Sequence, residues 1–143
     1  VYSHGNGGVA RRDAQILQVI GQITSLAFAV EATVIRATHS LQSAYVAHVS
    51  NDEAQIAAAN VLAEAEAGQA QVIASELIPR AASELFNALG ASDTRTSNAL
   101  DRHWRNARTV ASHNPVIYKT RNVGDWEVNG TDPTFIWQIG NGE

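Results

Sequence analysis

The chain has 143 residues, of which 45% are hydrophobic and 17% are charged, and its formal net charge is −4. This length suits one domain with one core, the negative charge argues against nucleic acid as a general partner, and the absence of cysteine excludes disulfides and thiolate chemistry. No uninterrupted apolar run approaches the ~20 residues that span a bilayer, and no secretory signal opens the sequence, so we expect a cytoplasmic protein without a membrane span.

A flexible segment followed by a long helix is predicted at the start of the chain. Residues 1–12 include the linker-like run YSHGNGG, and Asp13 is a suitable N-cap. Over residues 16–44, apolar side chains recur at alternating steps of four and three, which is typical of the seam of a helical bundle. Further apolar residues flank this seam, so we expect more than one partner helix. His39 and His48 share this helix, but no carboxylates complete a ligand set, and no metal site is predicted.

A short turn and an alanine-rich second helix are predicted next. Ser50 and Glu53 match a capping box, which places a helix start near residue 53. Alanine dominates the sequence from there to about Leu89, and small side chains let two antiparallel helices approach closely. Pro79 should kink this helix, because proline removes one backbone hydrogen bond and clashes with the preceding turn. Gly90 is the expected C-cap.

The third predicted helix, capped by Thr96 or Ser97, is amphipathic and rich in arginine. Asp101 lies four residues before Arg105 and is its expected partner. Steps of three and four define an apolar and a cationic face, formed by Leu100, Trp104, Ala107 and Ala111 and by Arg102, Arg105 and Arg108 respectively.

A proline corner ends this helix. Pro115 keeps Asn114 out of helical geometry, so His113 is expected at a fixed helix C-terminus. Two interpretations of the block are open. In the first, the helix packs Trp104 into a core and its arginines pair with nearby carboxylates. In the second, the arginines bind an anion and His113 places its imidazole beside it. Spacing alone does not separate the two interpretations.

The pattern as a whole predicts an all-α fold. No clean strand alternation is present, so residues 13–122 are expected to form an antiparallel helical bundle. Residues 123–143 contain four glycines, a proline and two tryptophans, and an irregular C-terminal tail is predicted there. Three helices with so much apolar surface should not close a core alone. A split fourth helix, a partner subunit or further domains should cover the rest.

The segment from Asn87 to Arg108 resembles the last-helix region of the acyl-CoA dehydrogenase superfamily. In that family a Gly-Gly turn leads to an Arg-Asp-Ala-Arg type motif, and this chain has Gly90-Ala91 and Arg105-Asn106-Ala107-Arg108 at those places. Many members continue into Tyr-Glu-Gly-Thr, whose Glu is the catalytic base. The corresponding positions here read His113-Asn114-Pro115-Val116. An amide cannot abstract a proton from carbon, so that base is absent.

The same block is more similar to the flavin-dependent monooxygenase branch of this superfamily. Members share a DRxWRN run, an HxP corner, a Tyr-Lys pair and a closing Asn-Gly. They often carry a second His where this chain has Val110, so no role that needs two imidazoles is expected. The matching positions span about thirty residues in register: Asp101-Arg102, Trp104-Arg105-Asn106, His113-Asn114-Pro115, Tyr118-Lys119, Val123-Gly124 and Val128-Asn129-Gly130.

The resemblance implies the C-terminal domain of a longer oxidoreductase, since an N-terminal helical domain and a β domain would be missing. Such an enzyme takes reduced flavin, FMN or FAD, from a separate reductase and uses O₂ to oxygenate a small-molecule substrate. Its subunits form a homo-oligomer, expected to be a tetramer, and the chain alone is expected to be inactive. Two alternatives stay open: an acyl-CoA dehydrogenase whose Glu lies elsewhere, and a non-catalytic helical assembly module.

Particular residues inherit roles from the resemblance. His113 is implied to lie beside the flavin, as a hydrogen-bond donor or proton relay during oxygen transfer. Asn87, Gly90 and Ala91 match the turn that contacts the flavin of a neighbouring subunit, and Arg95 is placed to reach a phosphate. Gln and Gly are usual where this chain has Asn87 and Ala91.

Overall fold

The computed structural model describes residues 8–50 and 52–133, which form helices and contain no strand. The four α-helices are α1 (Ala14–Ser50), α2 (Glu53–Glu84), α3 (Asp101–His113) and α4 (Val116–Asn129). Short 3-10 helices cover Ala10–Arg12, Leu85–Asn87 and Ala91–Thr94. The predicted all-α class is confirmed.

Aspartate side chains cap the N-termini of α1 and α2. As predicted, Asp13 Oδ1 accepts two backbone N–H groups of the first turn of α1, at 3.0 and 3.2 Å. The predicted capping box of Ser50 and Glu53 is wrong, because Asp52 Oδ1 accepts the corresponding two N–H groups of α2 at 3.1 Å. Ser50 belongs to α1, and its hydroxyl donates to a carbonyl three residues earlier, at 2.7 Å.

The connection between α2 and α3 differs from its prediction at both ends. The last turn of α2 tightens into the 3-10 helix Leu85–Asn87, so Gly90 is not its C-cap and instead has extended backbone with φ −85° and ψ 165°. Thr96 and Ser97 do not cap the third helix, because α3 begins later, at Asp101. Ala99 precedes it with φ +48°, a left-handed conformation that is costly for alanine.

The prediction of an irregular tail from residue 123 is wrong for residues 123–129. These residues belong to α4, which continues through Gly124 because one helical glycine costs only about 1 kcal/mol. Gly130 ends the helix with φ +69°, and its N–H donates to the carbonyl of Trp126 at 3.0 Å. Residues 130–133 are irregular as predicted, and residues 134–143 lie outside the described part of the chain.

The predicted N-terminal linker is only partly described. Of residues 1–12, the structure describes 8–12, and within them Ala10–Arg12 form a 3-10 turn immediately before α1. Short range bonds fix this turn: the backbone N–H of Arg12 donates to the carbonyl of Val9 at 2.9 Å. The remaining part of the predicted linker lies outside the described residues.

The helices divide into two compact groups. Unit 1 contains the described residues up to Ala32 together with Ile73–Val116, and unit 2 contains Thr33–Val72 and the described residues from Ile117 onward. Within unit 2, α1 and α2 run antiparallel, because the turn at Asp52 reverses the chain and the contacts Arg36–Glu66 and His48–Asn60 join the two helices. In the same unit, α4 runs parallel to α2, since contacts advance by one turn on both helices.

Alanine supplies most of the buried surface, as the second-helix pattern predicted. No large side chain is fully buried among the residues described, and large apolar side chains of α1 such as Phe28 and Val49 remain exposed. Small side chains let helix backbones approach closely but leave bulky neighbours outside the contact. The buried alanines are Ala37, Ala44, Ala47, Ala63, Ala65 and Ala70 in unit 2 and Ala82, Ala88 and Ala111 in unit 1.

By length and composition alone, α1 is long and apolar enough to cross a membrane. An 18-residue window of α1 meets this condition, and 6% of it is buried within the chain. The sequence contains no uninterrupted apolar run of this length, but the mean hydropathy over 18 residues of α1 is high. A helix whose apolar face packs against other protein has the same composition, so this finding does not by itself identify a membrane span.

Glu66 is a buried carboxylate at the α1–α2 contact of unit 2. Arg36 Nε donates to its two oxygens at 3.0 and 3.1 Å, an Arg36 NH₂ group donates at 2.5 Å, and the Ser40 hydroxyl also donates to it. The Arg36 hydrogen bonds, and then that of Ser40, hold the pKa of the Glu66 carboxyl below its ordinary value, although burial acts in the opposite direction.

Replacing Ala99 with glycine should stabilise the fold. Glycine adopts positive φ without the steric cost that alanine incurs, and part of that gain is offset by its greater freedom in the unfolded chain. We expect Ala99→Gly to raise the free energy of unfolding by about 0.5–1 kcal/mol in urea titrations. The matched change Ala107→Gly, inside α3, should lower it by about 1 kcal/mol. A destabilised Ala99→Gly variant would contradict the strain assigned to this turn.

Acidic pH should destabilise the chain through Glu66. Because its pKa is lower in the folded than in the unfolded chain, the ionised carboxylate stabilises the fold above the ordinary carboxyl pKa of about 4.3, and this contribution is lost as the pH falls through the lower folded pKa. Melting followed by circular dichroism should therefore show a steeper fall below about pH 5 for wild type than for Glu66→Gln. The exposed-site control Glu76→Gln should keep the wild-type slope, and equal slopes for all three would refute the assignment.

Candidate functional site

The turn predicted to contact flavin consists of the two 3-10 helices between α2 and α3, which contact each other. Asn87 is exposed, and its amide Nδ2 donates to the Glu84 carboxylate at 2.7 Å. Gly90 is half-buried, and Ala91 is exposed with its carbonyl accepting the hydroxyl of Thr94 at 2.7 Å. The turn is therefore locally ordered and open to a ligand, and one N–H of the Asn87 amide is bound to Glu84.

Arg95 offers the free cation of this turn. It follows the second 3-10 helix in extended conformation, its side chain is exposed, and it forms no ion pair with the residues that the structure describes. A guanidinium presents a planar fork that matches the oxygens of a phosphate. The donor chemistry of Arg95, in the same turn as Gly90, fits the phosphate end of a flavin nucleotide, and Asn87 keeps a second amide N–H and its oxygen beside the bond to Glu84.

An open cavity of about 350 Å³ lies in unit 1 where the end of α2 meets the first turns of α3. The expected pair of Asp101 and Arg105 is confirmed at 3.3 Å on its rim. Trp104 is 46% exposed, so the interpretation that packs this side chain into a core does not hold within the described chain. The cavity is lined by Ser83, Phe86, Asp101, Trp104 and Arg105.

His113 is the last residue of α3, as predicted. Asn114 leaves the helix with φ −114° and ψ 106°, and the adjoining buried Ala111 fixes the final turn. The imidazole is exposed and has no hydrogen-bond partner among the described residues, so it can donate to a ligand. His113 lies eight positions after Arg105 on the same helix, which corresponds to roughly 12 Å along the axis. The structure therefore does not bring His113 to the cavity.

Two well-defined electrostatic contacts were missed by the sequence analysis. Lys119 Nζ donates to Glu64 Oε1 at 2.6 Å, and Glu66 binds Arg36, both within unit 2. Their partners lie 55 and 30 residues apart in sequence, so no local spacing could reveal them. The Tyr118-Lys119 pair that matches the monooxygenase branch singled out Lys119, but it did not predict Glu64 as its ion-pair partner. No cluster of three metal-binding side chains occurs in the described ranges.

Comparison with protein families places the chain. The family described as "Acyl-CoA dehydrogenase, C-terminal domain" matches residues 7–117, which is most of the sequence. The chain belongs to the acyl-CoA dehydrogenase C-terminal domain family. The resemblance to the C-terminal domain of this superfamily is thereby confirmed.

Curated relatives of this family member are monooxygenases. The probable FMNH₂-dependent monooxygenase SfnC of Pseudomonas putida is 41% identical over 66 residues, which are 46% of this chain and 17% of that protein. The dibenzothiophene monooxygenase of Mycolicibacterium goodii is 36% identical over 63 residues, which are 44% of this chain and 15% of that protein. The chain thus matches about one sixth of the length of each relative.

Solved structures show the same relationship over nearly the whole chain. The methanesulfinate monooxygenase MsuC of Pseudomonas fluorescens has a TM-score of 0.79 and 30% identity, covering 94% of this chain and 34% of MsuC. FMN-bound TdsC of Paenibacillus sp. A11-2 has a TM-score of 0.71 and 27% identity, covering 93% of this chain and 34% of TdsC. The chain therefore spans about a third of these proteins.

Proposed function

We propose that this family member is the C-terminal domain of a flavin-dependent monooxygenase that uses reduced FMN and O₂. The observation that carries the proposal is the similarity to MsuC, which extends over 94% of the chain at 30% identity. SfnC and the dibenzothiophene monooxygenase support it independently by sequence. The proposal thus assigns the chain to the monooxygenase branch within a family that also includes dehydrogenases.

The corner after α3 supports oxygenation over dehydrogenation. Asn114 stands where many dehydrogenases of the family carry their catalytic Glu, and a neutral amide cannot remove a proton from carbon. The exposed imidazole of His113 precedes it and can donate a hydrogen bond to negative charge that develops beside the flavin. We assign His113 this donor or proton-relay role.

The proposed cofactor is FMN rather than FAD. SfnC is described as FMNH₂-dependent, and one TdsC structure contains FMN. When bound, reduced FMN would supply the two electrons that activate O₂, so that one oxygen atom enters the substrate and the other leaves as water. Arg95 would hold the phosphate and Gly90 would admit it close to the backbone. We propose that a separate reductase supplies the reduced FMN and that the substrate is a small organosulfur compound, as the names of MsuC and the dibenzothiophene monooxygenases suggest for them.

The proposal includes a cytoplasmic homo-oligomer, a tetramer by the family resemblance, in which protein covers the apolar face of α1. This face is formed by exposed side chains that include Phe28, Ile35 and Val49. Glu31 lies on the same face, three residues after Phe28 and four before Ile35, and it is exposed. A carboxylate near the centre of the helix is costly in hydrocarbon but tolerable at a protein interface with water or a cation nearby.

Replacing His113 should uncouple the reaction. Loss of one well-placed donor costs on the order of a hundredfold in the step that it assists. In the full-length protein, His113→Ala should therefore lower oxygenated product while O₂ still takes two electrons from reduced flavin and leaves as hydrogen peroxide. Product and peroxide are measured together, with His103→Ala, an exposed histidine of the same helix, as the matched control.

Each result of that experiment separates the alternatives. If the amounts of product and peroxide are unchanged in His113→Ala, His113 has no role in oxygen transfer and is only the residue that ends α3. Reduction of the flavin by an acyl-CoA thioester in the wild-type protein, without oxygenation, would overturn the monooxygenase proposal in favour of a dehydrogenase. Asn114→Glu should not create dehydrogenase activity, because the surrounding pocket would be shaped for another substrate.

Charge on the apolar face of α1 should disrupt assembly. A buried interface does not accommodate an unpaired carboxylate, so Ile35→Glu should shift the full-length protein from oligomer to smaller species in sedimentation experiments without detergent. Gln18→Glu, which adds the same charge to an exposed position of α1 about 100° around the helix from Ile35, is the control. A wild-type protein that sediments as a stable monomer at micromolar concentration would contradict the proposal.

A further inference from the structure

The open cavity of unit 1 has the composition of a small-molecule binding site. Its volume of about 350 Å³ lies at the lower end of the range of roughly 300–1,000 Å³ that is usual for ligand pockets. Two aromatic side chains, those of Phe86 and Trp104, line it, and Trp104 is 46% exposed. A half-exposed indole offers a flat face to a second ring, so the cavity favours a planar ligand. Because about 150 Å³ holds benzene, a fused pair of rings fits this cavity.

The polar groups of the cavity are few, and they can still bind a ligand. The side chains of Asp101 and Arg105 are joined at 3.3 Å, but they are 67% and 64% exposed, and an exposed pair of this kind is weak because water competes with it. The Ser83 hydroxyl donates to the carbonyl of Pro79 at 2.9 Å, which leaves its oxygen able to accept a hydrogen bond. An incoming polar group can therefore take the place of one member of the ion pair.

The charge on this face of α3 favours an anion over a cation. Positions i, i+3, i+4 and i+7 share one face of a helix, and here they are Asp101, Trp104, Arg105 and Arg108. This face carries one carboxylate and two guanidinium groups. Arg108 is exposed and forms no ion pair in the part of the chain that the structure describes. The planar fork of Arg105 matches the oxygens of a carboxylate, sulfinate or sulfonate, which can replace the Asp101 carboxylate on it.

We propose that the cavity binds a small aromatic anion with one or two rings, at a site separate from the flavin-contacting turn and from His113. The ring lies against Phe86 and Trp104, and the anionic group of the ligand binds Arg105 in place of Asp101. None of the residues assigned to the flavin-contacting turn lines the cavity. His113 lies eight positions further along α3, roughly 12 Å along the axis, which places it outside the cavity.

The probe is naphthalene-2-sulfonate, titrated into the full-length protein by isothermal calorimetry. Two analogues separate the parts of the recognition: naphthalene-2-methanol keeps the rings without the charge, and hexane-1-sulfonate keeps the charge without the rings. We expect each analogue to bind on the order of tenfold more weakly than the probe, because each lacks one of the two contacts. Protein labelled with 5-fluorotryptophan reports the place of binding. The fluorine signal that disappears in Trp104→Phe belongs to Trp104, and it should shift when the probe is added.

Three variants test the assigned contacts. Arg105→Gln should weaken the binding of naphthalene-2-sulfonate on the order of tenfold and leave that of naphthalene-2-methanol unchanged, because only the charged contact is removed. Trp104→Leu should weaken the binding of both naphthalenes. Asp101→Asn should strengthen the binding of the sulfonate, because Arg105 then has no competing carboxylate, and a gain of affinity cannot come from misfolding. Arg102→Gln is the matched control, because Arg102 is an exposed arginine of the same helix that does not line the cavity.

The outcomes distinguish this site from its alternatives. Equal affinity of the probe for the wild type and Arg105→Gln, or a Trp104 signal that does not move, would overturn the proposal. Absence of binding at millimolar naphthalene-2-sulfonate would also overturn it, since another part of the full-length protein would then fill the cavity. Saturating FMN should leave the affinity for the probe unchanged, whereas loss of probe binding would assign the cavity to the flavin site instead. None of these measurements depends on oxygenation, so failure of the proposed function would leave the aromatic-anion site standing.

Discussion

Close approach of helices through alanine is the constraint on which the rest of this domain depends. In unit 2, buried alanines of α1 and α2 bring the two backbones near each other, and the space left between them accommodates a carboxylate with its three donors rather than a large apolar side chain. The same geometry turns the bulky side chains of α1 away from the contact. Such a domain is held together by small side chains and still presents apolar surface to whatever surrounds it.

The residues assigned to function occupy helix ends and turns for a related reason. A packed helix interior leaves no room for a ligand, whereas His113 and Arg95 stand at the points where helices begin or end and where the backbone is accessible. The turn and the corner lie at opposite ends of α3, whose 13 residues extend for roughly 20 Å. The proposal that the turn contacts the flavin of a neighbouring subunit rests on the family resemblance.

Local sequence predicted the features that local physics determines. The cap at Asp13, the pair of Asp101 and Arg105, and the corner that ends α3 at His113 all depend on residues within a few positions of each other, and the structure confirms them. The predicted caps at Gly90 and at Thr96 or Ser97 are wrong. Several residues of that connection are of types that can end or begin a helix. Their selection depends on how the two 3-10 helices pack, which the spacing does not contain.

The helix α4 shows why composition alone predicted an irregular segment where the structure has a helix. Gly124 and the polar residues around it gave a weak helical signal, and the prediction ended the bundle at residue 122. In the structure, Lys119 and Val123 are one turn apart and meet Glu64 and Gly68, which are also one turn apart on α2. A helical α4 places Lys119 and Val123 on one face, so both side chains contact α2 together. This packing outweighs the weak helix propensity of the segment. Gly68, within the alanine-rich helix α2, lies where α4 packs against it.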